Sequence, residues 1–338
     1  HADIAMSENL VYLVTGGCGY IGEYIVKLLT TQKYVKEVRV FDINESEEIN
    51  QSSVPVKLIK GDITNYDQLL KAMEGVHVVI HTAALLDILD TMPFKKMKDI
   101  NVGGTENVIN ACIANDVPYI VYTSSIAAVG PNTNSEPMIR ATEETVYTGE
   151  IELSYGKTKA LAERLIRQAN GKKVTTLILC KITDCEYYCV VPGNVAWMHV
   201  QAAWHLRLKP ELLGAEVYYA YDNTPMRQRY KLLYELFTEI NPCIQMGSHI
   251  PYWKMWLIIN IYNIIQFIVR PFWNLKPFMT LPILNIIVTS FSYETDKAFR
   301  HFGYQPLFDW AESKKRTCEW LKSMVHDVPK EHGKHKET

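Results

Sequence analysis

The chain has 338 residues, which is enough for one large domain or two modest ones with a sizeable core. It is 48% hydrophobic and 21% charged, as is ordinary for a folded protein, and its net charge of -2 gives no basic footprint for nucleic acid. Seven cysteines, odd in number and scattered, indicate reduced thiols in a reducing compartment rather than a disulfide framework.

From Leu10 to Cys180, short apolar runs typical of buried strands alternate with helical patterns. The predicted strands span residues 10–16, 37–43, 56–63, 76–83, 119–125 and 174–180. The predicted helices between them span residues 21–30, 66–73, 103–115 and 155–168. This alternation predicts an α/β fold with a doubly wound parallel sheet.

The pattern changes after Gly193, and the second part of the chain predicts a smaller lobe on the substrate side. Residues 194–206 predict a helix, residues 215–221 predict a strand, and residues 284–293 alternate like a strand. We therefore divide the chain into three parts, which are a nucleotide-binding domain with residues 8–180, a substrate lobe with residues 181–325 and a polar tail with residues 326–338.

A glycine-rich turn, TGGCGYIG, lies between the first predicted strand and the first helix. Gly16, Gly19 and Gly22 allow a tight turn, a close approach of the backbone to a pyrophosphate, and a helix N-terminus that faces the phosphates. Asp42 ends the next strand, where a carboxylate accepts hydrogen bonds from both ribose hydroxyls and repels a 2′-phosphate. The pattern therefore predicts an NAD site and favours NAD over NADP.

Other residues near the same strand ends are further candidates for contact with the cofactor. An aspartate at the end of a strand is also a common helix cap, so Asp62 could have this structural role instead. The candidates in the turn and after the third and fourth strands are Tyr20, Ile21, Asp62, Ile63 and Ala83.

A tyrosine and a lysine in the sequence YGKTK form the candidate catalytic pair. Tyr155 and Lys159 are four residues apart, so both project from one face of a helix. The preceding strand ends in YTSS, which brings Ser125, or less favourably Ser124, to the same place. A nearby ammonium lowers the pKa of a tyrosine from its usual value near 10, which makes the phenol a usable base.

These residues resemble the extended short-chain dehydrogenase/reductase family and, within it, the 3β-hydroxysteroid dehydrogenase/Δ5-Δ4 isomerases. The similarity is closest to the C27-sterol type of the bile-acid pathway, and it runs from about residue 10 to residue 322. Two stretches are specific to that subgroup rather than to the whole superfamily, namely GNVAWMHV and FGYQPLFDW. Other matching stretches are LVYLVTGGCGYIGEYIVKLL, VVIHTAALLD, NVGGTENVINAC and YTSSIAAVGPNT.

The resemblance implies a Rossmann fold and the NAD-dependent oxidation of a 3β-hydroxyl on a Δ5 sterol, with movement of the double bond to Δ4. Tyr155 would be the proton acceptor, Lys159 its partner and a ribose ligand, and Ser125 the third member. The resemblance also implies a sterol substrate and a location on the endoplasmic reticulum membrane with the active site facing the cytosol. It leaves an oligomer open and places no isomerase acid.

The stretch KITDCEYYCVVPGN joins two well-matched segments. Cys180, Cys185 and Cys189 are spaced by five and four residues, without a C-x-x-C pair, so neither a metal site nor a redox site is favoured. The family continues this strand into an R-P-x-x-I-Y-G motif that wraps the nicotinamide, followed by a longer segment. Here no Arg-Pro follows, and residues 181–192 are too few for several elements. The sequence therefore predicts an internal deletion near residues 181–192.

A very apolar segment at residues 252–273 has 15 uncharged residues in a row, from Met255 to Val269. A helix that spans a membrane needs about 20 predominantly apolar residues. One polar stripe recurs at spacings of three and four, formed by Asn260, Asn263, Gln266 and Arg270. The segment therefore predicts a helix that lies in a membrane interface or packs against the domain.

Three functions remain open from the sequence. The first is a membrane-associated, NAD-dependent 3β-hydroxysteroid dehydrogenase. The second is a catalytically impaired isoform or pseudoenzyme that keeps nucleotide binding but lacks the nicotinamide-covering loop. The third is a different extended reductase or sugar-nucleotide epimerase, and the subgroup-specific stretches argue against it.

Overall fold

The structure is a computed structural model and describes residues 9–45, 53–181, 192–225, 229–289 and 291–326. Seven parallel strands form its main sheet: β1 Leu10–Thr15, β2 Val35–Asp42, β3 Val56–Lys60, β4 Val78–His81, β5 Tyr119–Ser125, β7 Thr175–Lys181 and β8 Val217–Ala220. Their order across the sheet is β3-β2-β1-β4-β5-β7-β8. A separate small sheet pairs two short strands, β6 Met138–Ala141 and β9 Phe291–Tyr293.

Helices cover both faces of the main sheet. Their bounds are α1 Tyr20–Leu29, α2 Tyr66–Ala72, α3 Phe94–Lys98, α4 Gly104–Ala114, α5 Ser154–Ala169, α6 Pro192–Leu208, α7 Pro210–Leu213, α8 Arg229–Ile240, α9 Tyr252–Val269, α10 Leu281–Val288, α11 Lys297–Phe302 and α12 Trp310–His326. Apolar side chains of α1 and α6 form the core on one face, and those of α2, α4 and α5 form the core on the other. The predicted doubly wound α/β fold is confirmed.

The strand order places a topological switch point between β1 and β4. The chain leaves β1 towards β2 and β3 on one side, and it continues from β4 towards β5, β7 and β8 on the other. The connections therefore diverge at the carboxyl ends of β1 and β4, which leaves a crevice there. Every residue of β1 is buried, so the strands that border the crevice are fixed deep in the core.

The prediction of a strand at residues 284–293 is wrong. Residues 281–288 form α10, and strand β9 comprises residues 291–293. Pro282 lies in the first turn of α10, where a proline is well tolerated because its missing N–H has no partner in the helix. A short apolar run fits a buried helix as well as a strand, and here the helix wins.

Several elements have no counterpart in the sequence prediction. Strand β6, helices α3, α7, α8, α11 and α12, and a π-helical turn at Asp99–Gly103 were not anticipated. Helix α12 also reaches His326, the first residue of the predicted polar tail. Most of the junction at residues 181–192, where a deletion is predicted, lies outside the described residues, and so do Cys185 and Cys189. The predictions about that junction therefore stay predictions.

The two subgroup-specific stretches meet in the structure through a buried asparagine. Asn194, at the start of α6, accepts a hydrogen bond from Phe308 N at 2.9 Å and donates one to Phe308 O at 2.9 Å. The hydroxyl of Tyr304 donates to Asn194 O at 3.1 Å. These bonds hold the segment before α12 against helix α6. Asn194, Tyr304 and Phe308, which belong to the two stretches, therefore have a structural role.

Candidate active site

A groove follows the carboxyl edge of the sheet at the switch point. It consists of two adjoining cavities of about 290 and 280 Å³ that share Gly16, Gly19, Thr82 and Ala84. The first cavity is lined by the predicted residues Tyr20, Ile21, Gly22, Ser125, Tyr155 and Lys159. The second is lined by the predicted residues Asp42, Asp62, Ile63 and Ala83. The structure thus brings all the residues predicted from the sequence to one groove.

The glycine turn is shaped so that side chains would block it. Gly16 has a φ of +69°, and a Cβ atom there would lie 2.8 Å from the backbone of Ala83. A Cβ atom on Gly22 would collide with the carbonyl oxygen of Gly16. Helix α1 begins directly after Gly19, so its N-terminus opens onto this backbone cradle. The cradle fits a pyrophosphate, which needs backbone N–H groups at close range.

The carboxylate of Asp42 lies beside the glycine turn at the end of β2. It accepts hydrogen bonds from Cys18 N at 3.0 Å and from Asn44 N at 2.9 Å. These bonds fix the side chain against the turn at the rim of the second cavity. A fixed carboxylate at this place can accept hydrogen bonds from ribose hydroxyls, as NAD requires. The accepting carboxylate and the cradle together fit a dinucleotide.

The remaining predicted cofactor residues differ in how firmly they belong to the site. Asp62 is exposed, and its carboxylate accepts a hydrogen bond from Thr64 N at 2.8 Å, so it also stabilises the turn before α2. Ile63 is buried, and its side chain leaves no room for a Cβ atom on Gly104. Ala83 lies against Gly16 and helps to form the wall of the cradle.

Lys159 is 2% exposed and points from α5 to the end of β5. Its Nζ donates to Thr123 O at 2.6 Å and lies 4.4 Å from the ring centroid of Tyr122. Burial lowers the pKa of Lys159 to about 7, while Glu163 and Cys180 act in the opposite direction. Near neutral pH the side chain is therefore poised between ammonium and amine, so its charge depends on its neighbours.

The two serines at the end of β5 have different surroundings. The hydroxyl of Ser124 is buried and donates to Glu163 Oε2 on α5 at 3.0 Å. Ser125 is partly exposed at the groove, and its Oγ accepts from Ala127 N at 3.2 Å. The hydroxyl of Ser124 thus has a structural partner on α5, and both serines line the cavity that contains Tyr155.

Asn101 is a site residue that the sequence analysis missed. It lies in the π-helical turn, is 1% exposed, and exchanges hydrogen bonds with Leu85 N at 2.7 Å and Leu85 O at 2.9 Å. Its amide also donates to Thr158 Oγ1 at 3.0 Å. Asn101 therefore fixes the loop after β4 relative to the catalytic helix. Its signal in the sequence was an asparagine just before the helix predicted at residues 103–115, because asparagine prefers caps and turns to helix interiors.

Two buried histidines below the groove were also missed. His81 Nδ1 accepts from the hydroxyl of Thr15 at 2.7 Å, and its Nε2 donates to Thr105 Oγ1 at 2.9 Å. His199 Nδ1 donates to Val195 O at 2.7 Å, and its Nε2 accepts from the hydroxyl of Thr123 at 2.8 Å. Burial lowers the pKa to about 3 for His81 and about 4 for His199, so both are neutral. They hold strands β1 and β5 to the helices on either face.

A sequence model of the 3-beta hydroxysteroid dehydrogenase/isomerase family matches residues 13–185 and 178–246. The chain is 38% identical to 3 beta-hydroxysteroid dehydrogenase type 7 of Mus musculus, over 96% of this chain and 98% of that relative. It is 40% identical to the protein of the same name in Rattus norvegicus, with the same two shares covered. These relatives are similar to the chain along nearly its whole length.

Solved structures share the fold at lower identity. The chain superposes on the dTDP-glucose 4,6-dehydratase DesIV of Streptomyces venezuelae, solved with NAD bound, with a TM-score of 0.67. The identity is 17%, and the match covers 93% of this chain and 97% of that one. At this identity the likeness concerns the fold alone.

The alignments also bear on the short junction after β7. The two family-matched segments overlap only at residues 178–185, where that junction begins. The alignment to the mouse relative extends over 368 positions, more than the 338 residues of this chain, so the mouse protein contains residues that this chain lacks. The alignment to the rat relative extends over only 337 positions. A chain of about this length therefore also occurs among the relatives.

Proposed function

The chain belongs to the 3-beta hydroxysteroid dehydrogenase/isomerase family, and we propose that it oxidises the 3β-hydroxyl of a Δ5 sterol with NAD and moves the double bond to Δ4. One observation carries the proposal for oxidation, namely that Tyr155, Lys159 and Ser125 line the same groove as the glycine turn. Asp42 lines the second cavity, which shares Gly16 with the first. The groove thus combines a dinucleotide cradle with an acid–base pair.

Each side chain has a distinct part in the oxidation. Tyr155 takes the proton from the 3β-hydroxyl as the C3–H bond breaks, and Ser125 donates a hydrogen bond that orients the reacting oxygen. The ammonium of Lys159 stabilises the phenolate of Tyr155 and holds the nicotinamide ribose. NAD supplies the hydride acceptor when it is bound. Asp42 binds the adenosine ribose, and the glycine turn with the N-terminus of α1 binds the pyrophosphate.

The sterol is the finer part of the proposal. Identities of 38% and 40% to type 7 relatives support a C27 sterol of bile-acid synthesis as the substrate. The family description includes isomerisation, which supports a Δ4 product. We assign the cofactor to the part of the chain at residues 8–180 and the rest of the sterol pocket to residues 181–325. The impaired-isoform alternative is not favoured, because the groove retains its complete set of predicted residues.

Helix α9 supports a location at a membrane surface. Three residues of its polar stripe, Asn263, Gln266 and Arg270, line a cavity of about 700 Å³ together with residues 89–92. The apolar residues around that stripe are exposed, among them Trp253, Ile261, Ile264 and Ile268. Among the described residues, none of the helices has both the length and the apolar character to cross a membrane.

The exposed apolar side chains of α9 suit a helix that lies in a membrane interface. The proposed site of action is therefore the surface of the endoplasmic reticulum membrane, with the groove open to the cytosol. The same helix would hold the enzyme where an apolar sterol is concentrated.

The direct test is oxidation of a 3β-hydroxy-Δ5 C27 sterol by the purified chain in detergent or vesicles. NADH formation measures oxidation, and the ultraviolet absorbance of the conjugated 3-keto-Δ4 product measures isomerisation. The 3α-epimer of the same sterol and NADP in place of NAD are the matched controls. We expect turnover only when the 3β-epimer is combined with NAD, and none with the 3α-epimer or with NADP. Equal turnover of both epimers, or none with the 3β-epimer, would refute the proposal.

A further inference from the structure

The charge of Lys159 lacks a direct counter-ion in the described part of the chain. Its Nζ is bonded to the carbonyl of Thr123 and lies over the ring of Tyr122, and both partners are neutral. Among the described residues, no carboxylate lies within 4.0 Å of this ammonium. A buried ammonium without a counter-ion readily loses its proton, so more distant charges decide its state.

Glu163 lies one helical turn beyond Lys159, on the same face of α5. Residues four apart on a helix have Cβ atoms about 5–6 Å apart, so the two side chains are neighbours. Glu163 Oε2 accepts the buried hydroxyl of Ser124 at 3.0 Å, and Oε1 lies 3.3 Å from Arg167. The carboxylate is 16% exposed, so water screens it only in part. Glu163 thus contacts Ser124 on β5. Ser124 lies between Thr123, whose carbonyl binds Lys159, and Ser125, which lines the groove.

We propose that Glu163 is a positioning residue for the proposed oxidation of the sterol, and this inference rests on that proposed function. Its carboxylate holds Ser124 and thereby the end of β5, and its negative charge maintains Lys159 as the ammonium. The first role fixes where the lysine and the serine lie, and the second fixes the charge that Tyr155 experiences.

The other groups around Lys159 do not supply this charge. From β4, His81 is neutral because burial lowers its pKa to about 3. From β5, Tyr122 is neutral because burial raises its pKa well above the usual value. From β7, Cys180 acts in the same direction as Glu163 but is the smaller influence on the pKa of Lys159. Glu163 is thus the carboxylate that favours the ammonium.

Removing the charge of Glu163 has two opposing effects on the pKa of Tyr155. The carboxylate is eight residues from Tyr155, or about 12 Å along the helix, so its direct repulsion of the phenolate is weak. Loss of the ammonium at Lys159, four residues away, removes a much closer positive charge. The second effect is larger, so the pKa of Tyr155 rises and oxidation requires a higher pH.

The test compares Glu163→Gln with the wild type in the profile of kcat/KM against pH for sterol oxidation. Glutamine keeps an oxygen that accepts from Ser124 and removes only the charge. We expect the rising limb of the profile to move up by about 1 pH unit, which is about a tenfold loss on that limb and full recovery above it. A loss of equal size at every pH, or an unchanged profile, would overturn the assigned charge effect.

Two further variants separate the roles. Ser124→Ala removes the hydrogen bond but not the charge, so kcat/KM should fall at every pH without a shift of the limb, and an unchanged kcat/KM would overturn the positioning role. Glu312→Gln removes a carboxylate from a comparable pair, with Arg316 four residues away on α12, and should leave the profile unchanged. A shift in that control would mean that the effect is not specific to Glu163.

A second measurement needs no turnover and therefore distinguishes failure of this inference from failure of the proposed function. Competitive acetylation with acetic anhydride, read by mass spectrometry, reports the free-amine fraction of Lys159 as pH rises. In Glu163→Gln the midpoint for Lys159 should lie at lower pH than in the wild type, while Lys157 is unchanged. Equal midpoints for Lys159 would contradict the inference, whatever the sterol assay shows.

Discussion

The groove and the helix α9 differ in which side chains they bury and which they expose. Around the groove, polar side chains such as Asn101, His81 and His199 are buried, and hydrogen bonds fix them. On α9 most apolar side chains are exposed, and Asn263 and Arg270 of the polar stripe are exposed as well. The first arrangement fixes reacting groups in place, whereas the second leaves an apolar surface without a protein partner among the described residues. Chemistry and location are thus assigned to different parts of the molecule.

The largest expected effect comes from the buried lysine of the groove. We expect Lys159→Met to lower kcat/KM for sterol oxidation by about 10²–10⁴-fold, because the phenolate of Tyr155 loses its stabilising charge. The melting temperature should not fall, since the change removes a buried charge and keeps a similar volume. Lys157→Met, on the exposed face of the same helix, is the control and should have near wild-type activity. A Lys159→Met variant with wild-type activity would remove the lysine from the mechanism.

The next effect concerns the cofactor end of the groove. Asp42→Ala should weaken NAD binding by about 10–100-fold, because hydrogen bonds to a charged group contribute about 1.5–3 kcal/mol. Binding of NADP should change much less, so the preference between the two cofactors narrows. Dissociation constants from fluorescence titration measure both. Asp62→Ala, at an exposed position of the same groove, should have a smaller effect on NAD. Unchanged NAD affinity in Asp42→Ala would contradict the assignment of the ribose contact.

A third prediction tests the connection between α6 and the segment before α12. Asn194→Ala leaves the N–H and carbonyl groups of Phe308 without their partner, so it should lower the free energy of unfolding by about 1–3 kcal/mol. Urea unfolding followed by circular dichroism measures this change. Asn241→Ala is the control, because its side chain is exposed and accepts a hydrogen bond from the nearby Cys243 N. Equal stability of the two variants would show that the buried asparagine does not hold the segments together.

The smallest effect is expected at the membrane surface. Ile264→Ser and Ile268→Ser, on the exposed face of α9, should each weaken binding to phospholipid vesicles by about tenfold, since burial of one such side chain is worth about 1.5–3 kcal/mol. Oxidation of a sterol presented in detergent should be unchanged. Asn263→Ser on the polar stripe should leave vesicle binding intact. Vesicle flotation distinguishes these outcomes. If the two isoleucine variants bound vesicles as strongly as Asn263→Ser, α9 would be excluded as the membrane contact.

The sequence predicted the groove because its signals are local. Gly16, Gly19 and Gly22 lie within one turn, and Tyr155 and Lys159 lie within one turn of helix, so short-range spacing is sufficient. Alternating apolar runs likewise predicted the parallel sheet, and the structure confirms it.

The residues that were missed depend on contacts far along the chain. His199 contacts Thr123, which is 76 residues away, and Glu163 contacts Ser124, which is 39 residues away. No local pattern marks either pair. The wrong strand at residues 284–293 has a different cause, since a short apolar run has the composition of both a buried helix and a strand.

The central claim is that this groove binds NAD and that Tyr155 is its proton acceptor. Parallel measurement of NAD affinity and of NADH formation from a 3β-hydroxy-Δ5 sterol, in the wild type and in Tyr155→Phe, tests that claim most directly. We predict that both proteins bind NAD with similar affinity and that only the wild type forms NADH at an appreciable rate. NADH formation at the wild-type rate by Tyr155→Phe, or a wild type that binds no NAD, would contradict the account.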